Sequence, residues 1–221
     1  MKLIKTADDT ETFMNEEVGE SYHSQTGAVE EAFKKYTVPC KIKKLAKSGK
    51  IRILDICFGI GYNSAAAIDV ALVENPECEI EVVALEYDKE IVDKIAEVNP
   101  PIKSYVLFKE LVNNLEVQEG KISIKLIMGD ARETIRQLEN DSFDAVFMDP
   151  FSPKTAPEMW GVDFFKEILR LIKEKRILAT YTCARMVREN MLAAGFNYDD
   201  GPIVGRRGPG TIAWKEEFKI G

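Results

Sequence analysis

The chain has 221 residues, 45% of them hydrophobic and 30% charged, with 37 acidic residues against 30 basic ones and a net charge of −7. This length and balance fit one globular domain with a sizeable core and exclude a disordered chain. The acidic total also excludes a general electrostatic pull toward nucleic acid, so any RNA contact must come from local basic residues.

The opening segment, MKLIKTADDTETF, lacks the apolar core of a secretory signal. No apolar run approaches the ~20 residues of a membrane span, so the expected location is cytoplasmic, with no membrane partner. Residues 1–50 read as an extension ahead of the first strand of a single domain covering 1–221. Within it, residues 27–36 carry Ala28, Val29, Ala32, Phe33 and Tyr36 on one side of an amphipathic helix. That helix would serve as a substrate-facing element or pack over a sheet edge. Lys41, Lys43, Lys44, Lys47 and Lys50 follow as a basic run, a candidate local contact for RNA.

Strands are predicted at 51–57, 80–86, 122–128, 143–149 and 177–182, each apolar on both parities, as in a parallel sheet covered on both faces. Between them, helical patterns occupy 63–74, 89–97, 102–115, 131–138 and 162–173, and another at 184–194 stops at the C-capping Gly195. A last strand is expected at 211–215, paired with residues near 196–198. The alternation gives an α/β fold, Rossmann-like, with a mostly parallel sheet and helices on both faces. Cys40, Cys57, Cys78 and Cys183 lie far apart with no metal-ligand spacing, so no metal is expected.

The ends of the predicted strands carry the chemistry. The first runs into Phe58-Gly59-Ile60-Gly61-Tyr62-Asn63, where glycines let the backbone turn sharply and approach a ligand. Ser64 stands where the third glycine of a dinucleotide fingerprint would be. The second strand ends in Glu86, suited to accept from two ribose hydroxyls. The third leads to Asp130-Ala131, where a carboxylate can meet an adenine amino group. The fourth ends in Asp149-Pro150-Phe151. Together these ends suit a nucleoside with a cationic sulfonium tail, S-adenosyl-L-methionine, in a class I methyltransferase.

Several segments carry a closer resemblance: Glu20-Ser-Tyr-His-Ser24, Gly27-Ala-Val-Glu-Glu31, Phe58-Gly-Ile-Gly-Tyr-Asn63, Phe143-Asp-Ala-Val-Phe-Met-Asp-Pro-Phe-Ser-Pro153 and Pro157-Glu-Met-Trp160. They resemble the methyltransferase domain of the MnmC-type tRNA 5-methylaminomethyl-2-thiouridine biosynthesis proteins, over roughly residues 16–214. The resemblance implies methylation of the aminomethyl group on the wobble uridine of tRNA. It also implies a stand-alone methyltransferase, because the chain is too short for the FAD-dependent oxidase domain fused in many members. A separate enzyme would then supply the aminomethyl-uridine. Pro150 departs from the glycine that usually follows this aspartate in the family.

Asp149 is the expected catalytic residue, placed to orient the amine or accept its proton. The expected cofactor-binding set is Glu30, Phe58, Gly59, Gly61, Asn63, Glu86, Asp130, Ala131 and Asp149. Phe151 is a candidate to stack on the target base, as in the Asp/Asn-Pro-Pro-aromatic loop of many amino-group methyltransferases. Tyr22 and His23 are expected to border the substrate pocket, and Trp160 to anchor its loop by packing. Arg206 and Arg207, with Arg185 and Arg188, are candidate phosphate contacts. Two competing readings share the fold: an aminopropyltransferase of the spermidine synthase type, and a non-catalytic RNA-binding relative. The first lacks its Gly-Gly-Gly-Asp run here, and the second predicts damage to a cofactor loop that is intact.

Overall fold

The structure is a computed structural model that describes residues 1–205 and 207–215. The large sheet is built as expected. Its strands are β4 (Lys50–Ile56), β5 (Glu79–Glu86), β6 (Glu116–Glu119), β7 (Ile122–Met128), β8 (Phe143–Met148), β9 (Ile172–Thr180), β10 (Phe196–Asp200) and β11 (Thr211–Lys215). They lie in the order β10-β11-β9-β8-β4-β5-β7-β6. The five central strands are parallel, while β6 runs antiparallel to β7 and β11 runs antiparallel to both β9 and β10.

Leaving β4, the chain builds outward through β5 and β7, then returns to the opposite side of β4 to lay down β8. That reversal opens a crevice beyond the carboxyl ends of the central strands, where open α/β sheets bind ligands. Alternate residues feed two apolar layers. Ile53, Val82, Ala84 and Phe147 pack on one face beneath α3 (Tyr62–Glu74), α4 (Lys89–Asp93) and α5 (Tyr105–Asn114). Leu54, Val83, Leu85 and Val146 pack on the other beneath α7 (Val162–Leu171) and α8 (Arg185–Ala194).

Four local features differ from expectation. The first residues form a three-stranded antiparallel sheet, β1 (Lys2–Lys5), β2 (Glu11–Asn15) and β3 (Glu20–Ser21). Its strands are short and mostly polar, so they carry no periodic signal; Phe13 alone anchors the layer in the core. The helix expected at 27–36 is regular only over α1 (Ala28–Glu31) and widens into a π-helical turn at Ala32–Thr37. Part of the basic run folds as the short α2 (Ile42–Ala46). Finally, β9 starts at Ile172 rather than 177, taking over the end of the helix expected at 162–173. Lys175 has φ +57, the register against β8 shifts there, and Lys173 and Arg176 grip Asp144 at 2.9 and 3.1 Å. A bulge of charged residues hides the strand from a search for apolar runs.

Candidate active site

After β4 the backbone makes a left-handed turn, with φ +61 at Cys57, +59 at Gly59 and +80 at Gly61. A Cβ on Gly61 would sit 2.5 Å from the Phe58 ring and 2.8 Å from that of Phe108, so only glycine lets α3 begin there. Gly59 faces the open side, where a Cβ would meet only Tyr22 at 3.5 Å and His23 at 4.0 Å.

Glu86, at the end of β5, ties this turn down. Its Oε2 accepts from the Gly59 amide at 2.8 Å, and its Oε1 accepts from the Tyr87 and Asp88 amides at 2.8 Å each. Burial raises the carboxyl above its usual range, although the Asp88, Gly59 and Tyr87 amides oppose the rise. The same side chain therefore shapes the loop as well as facing the cavity. Asp130 caps α6 (Ala131–Thr134) by accepting from the Arg132 amide at 2.9 Å, and also binds the Arg132 guanidinium, which holds its carboxyl below the usual range.

Asp149 follows β8, its amide donating to Ile56 O at 3.1 Å across the switch point. Its Oδ2 accepts from Asn63 Nδ2 at 3.1 Å, and protein encloses it except where the cavity reaches it. Burial, and next the charge of Glu31, push this carboxyl up to about 7, against the Tyr36 hydroxyl and the Asn63 amide. Tyr36 lies within its field without a hydrogen bond of normal geometry. His23 is buried against Tyr62, its Nδ1 3.2 Å from Thr12 Oγ1. Burial pulls His23 down to about 4, so it is neutral at physiological pH.

The loop after Asp149 is braced from three directions. The Tyr181 hydroxyl donates to Pro150 O at 3.0 Å, and Trp160 Nε1 donates to Phe151 O at 2.9 Å. Glu20 accepts from the Ser152 amide at 2.9 Å and from the Ser152 and Thr155 hydroxyls. Tyr22 packs its ring 5.1 Å from Phe151 and donates its hydroxyl to Asp88 Oδ2 at 2.6 Å. The small N-terminal sheet thus roofs the crevice from the end of β5 to the end of β8.

A cavity of about 820 Å³ results. Of the residues singled out in sequence, Tyr22, His23, Phe58, Gly59, Glu86, Asp130, Ala131, Asp149 and Phe151 line it. Gly61 and Asn63 lie behind its wall, Asn63 acting through Asp149. Glu30 does not reach it: its side chain points outward to Lys34, and the next residue, Glu31, lines the cavity instead. Arg207 is exposed and outside the lining, and Arg206 lies outside the described residues. Arg188 is committed to structure, donating to Thr211 Oγ1, Asp200 Oδ1 and Gly210 O at 2.9, 2.6 and 3.1 Å. The basic run sits at the opposite pole, where Lys43 and Lys47 pair with Glu74 and Lys50 pairs with Glu79.

Sequence reasoning overlooked Glu20, Glu31, Asp88 and Arg132. For Glu31 a signal existed: Glu31 and Lys35 stand four apart beside the apolar stripe. Ten cavity-lining residues are Asp or Glu, against two cations, Arg132 and the Met1 ammonium, so the cavity favours a cationic ligand. With its glycine turn and acidic strand ends, this donor set fits a nucleoside bearing a sulfonium. Among the described residues no cluster of three or more His, Cys, Asp or Glu is arranged to hold a metal, and no helix is long and apolar enough to cross a membrane.

Comparisons with known proteins agree with this geometry. Residues 93–216 match a family described as S-adenosyl-L-methionine-dependent methyltransferase. An uncharacterized protein of Methanocaldococcus jannaschii is 32% identical over 220 residues, covering 96% of this chain and 59% of that protein. The tRNA 5-methylaminomethyl-2-thiouridine biosynthesis bifunctional protein MnmC of Pseudomonas savastanoi pv. phaseolicola is 34% identical over 120 residues, 52% of this chain and 18% of that protein. The chain thus spans little more than half of the first relative's length and under a fifth of the second's. The crystal structure of MNMC2 from Aquifex aeolicus superposes with a TM-score of 0.88 at 35% identity, over 96% of this chain and 70% of that one. Spermidine synthase from Thermotoga maritima, at a TM-score of 0.60 and 10% identity, shares the fold alone. The chain belongs to the S-adenosyl-L-methionine-dependent methyltransferases, in their MnmC-type branch, and S-adenosylmethionine is its cofactor.

Proposed function

We propose that the protein methylates the amine of an aminomethyl group on the wobble uridine of tRNA. Asp149 carries the reading: a carboxyl pushed up to about 7, at the crevice where β4 and β8 part, is tuned to take a proton from an amine near neutral pH. The names of the MnmC relatives support the choice of RNA.

The bound cofactor supplies a methyl group already activated by its sulfonium. Glu86 and Asp130 bind and orient the nucleoside portion, with Phe58, Gly59 and Ala131 shaping the space around it. Asp149, oriented by Asn63, holds the incoming ammonium and receives its proton, freeing the lone pair for attack. Phe151 and Tyr22 supply an aromatic wall for the uracil ring, and His23, neutral, closes the pocket beside them. Because the cavity is acidic, RNA phosphates are held outside it, with Arg207 and the neighbouring Arg206 as the contacts assigned to them. On this reading the reaction belongs to the cytoplasm and follows the chemistry that installs the aminomethyl group.

The test is incubation with labelled S-adenosylmethionine and tRNA lacking only this methylation, followed by digestion to nucleosides. Label in methylaminomethyl-uridine is the expected result. Label in no nucleoside, or transfer to a free polyamine instead, overturns the reading.

A further inference from the structure

We propose that Glu31 is the second carboxylate of the acceptor pocket, holding the substrate amine as a cation beside Asp149, and that Lys35 positions it. The inference deepens the amine-methylation reading and rests on it for the identity of the acceptor.

Glu31 lines the same cavity as Asp149, yet its side chain is only 4% exposed. Both of its oxygens are fixed, Oε2 by the Ser24 amide at 2.7 Å and Oε1 by the Lys35 ammonium. Lys35 is wholly buried and does not line the cavity. The pair is therefore asymmetric, with its negative end in the pocket wall and its positive end in the core.

The backbone makes this arrangement possible. Helix α1 ends at Glu31, and the π-helical turn that follows carries Lys35, Tyr36 and Thr37 inward together. Such widened turns recur at functional sites because they present side chains that a regular helix would rotate away. Stability alone does not account for the pair. Desolvating two charges offsets most of their attraction, and apolar replacements of similar volume are often at least as stable.

Electrostatics gives the pair a purpose. Glu31 is the charge that most raises the Asp149 carboxyl, whereas Lys35 is the weakest of the named influences on it. Two carboxylates that repel each other across a cavity are both relieved by one cation placed between them. His23, held neutral, cannot supply that cation. An amine arriving as an ammonium does, whereas a hydroxyl acceptor brings no charge, so the pair selects for amines. Glu31 takes no proton and forms no bond in this role.

The experiment compares two cofactor analogues by calorimetry, with no tRNA present. One is S-adenosylhomocysteine. In the other an amine-bearing carbon replaces the sulfur, so that an ammonium stands where the methyl group would be. Wild type should bind the amine analogue about tenfold or more tighter, as expected for an ammonium meeting enclosed carboxylates. Glu31→Gln should lose most of that preference while its S-adenosylhomocysteine affinity stays within about twofold, and Glu31→Asp should recover part of it. The double variant Glu31→Gln, Lys35→Met removes the whole pair, avoids leaving Lys35 buried and unpaired, and should show the same loss. Equal affinities in wild type, or an undiminished preference in either variant, overturn the proposal. An enzyme that methylates tRNA but fails here loses only the role of Glu31, and a tRNA result that fails leaves this ratio to be read independently.

Discussion

The two ends of the large sheet handle charge in opposite ways. At the amino ends each acid has a basic partner close by: Glu79 has Lys50 at 3.1 Å, Glu81 has Arg52 at 3.0 Å, and Asp144 has both Lys173 and Arg176. At the carboxyl ends ten acids face one cavity with only Arg132 and the Met1 ammonium among them. Local pairing makes the first pole a solvated surface whose pairs are worth little individually. A large excess of negative charge makes the second a field that attracts cations and shifts the protonation of whatever lies inside it. The net charge of −7 says nothing of this division. Nor does nearness in sequence: Lys50 opens the seven-residue strand that leads to the glycine turn, yet the strand carries the chain ~23 Å away from it.

If the carboxyl-end field does the chemistry, the largest effect belongs to Asp149. Single-turnover methyl transfer by Asp149→Asn at saturating cofactor should fall ~100-fold or more, with cofactor affinity little changed. A near-normal rate would transfer the role of base to another group. Glu86→Ala should come next, weakening S-adenosylmethionine binding by roughly 1.5–3 kcal/mol for each charge-assisted hydrogen bond removed. It should also lower Tm without cofactor, because the Gly59, Tyr87 and Asp88 amides lose their acceptor. Calorimetry and thermal melts read the two effects separately, and an unchanged apo Tm would contradict the loop-holding role.

Protonation sharpens the contrast further. Only ionised Asp149 accepts a proton, so kcat/KM should rise with pH up to about 7, and that limb should vanish in Asp149→Asn. Stability should move the other way. The Asp149 carboxyl titrates at about 7 when folded and near its ordinary value of 3.8 when unfolded, so the folded state binds more protons between them. Its contribution is therefore full at low pH and lost as pH rises toward 7. Asp149→Asn should then melt higher relative to wild type at about pH 8 than at about pH 4. His23 has the opposite sign: held down to about 4 from 6.5, it withdraws stability as pH falls through that window, and His23→Gln should flatten this part of the profile.

The smallest effects are expected outside the cavity. Arg207→Ala should weaken tRNA binding modestly and reduce its salt slope by about one. Lys47→Glu, at the paired pole, should leave both unchanged; a loss there would reverse the assignment of the two ends.

The parts legible in sequence were those governed by burial on both faces. The central strands stand out as apolar runs, and the glycine turn, Glu86, Asp130 and Asp149 follow from where those runs stop. The roof was not legible, because β1 to β3 are two to five residues long and mostly polar, and the bonds of Glu20 and Tyr22 that seat them run to distant segments. The choice between Glu30 and Glu31 depends on about 100° of rotation around one helix, which sequence spacing alone did not resolve here. Ile172 and Lys173 read as the end of a helix, and residues 174–176 as no part of a strand, because charged residues at a bulge break the apolar pattern.

Glu20 meets its partner in the Asp149 loop across 132 positions of sequence, and Tyr22 meets Asp88 across 66. The roof therefore rests on two distant supports, Asp88 after β5 and the loop after β8. Eleven of the thirty residues that line the pocket lie within the first 31 positions. Without those two contacts the large sheet would keep its own ladder while the crevice stood open to water, so the dryness of the site hangs on bonds that reach far along the chain.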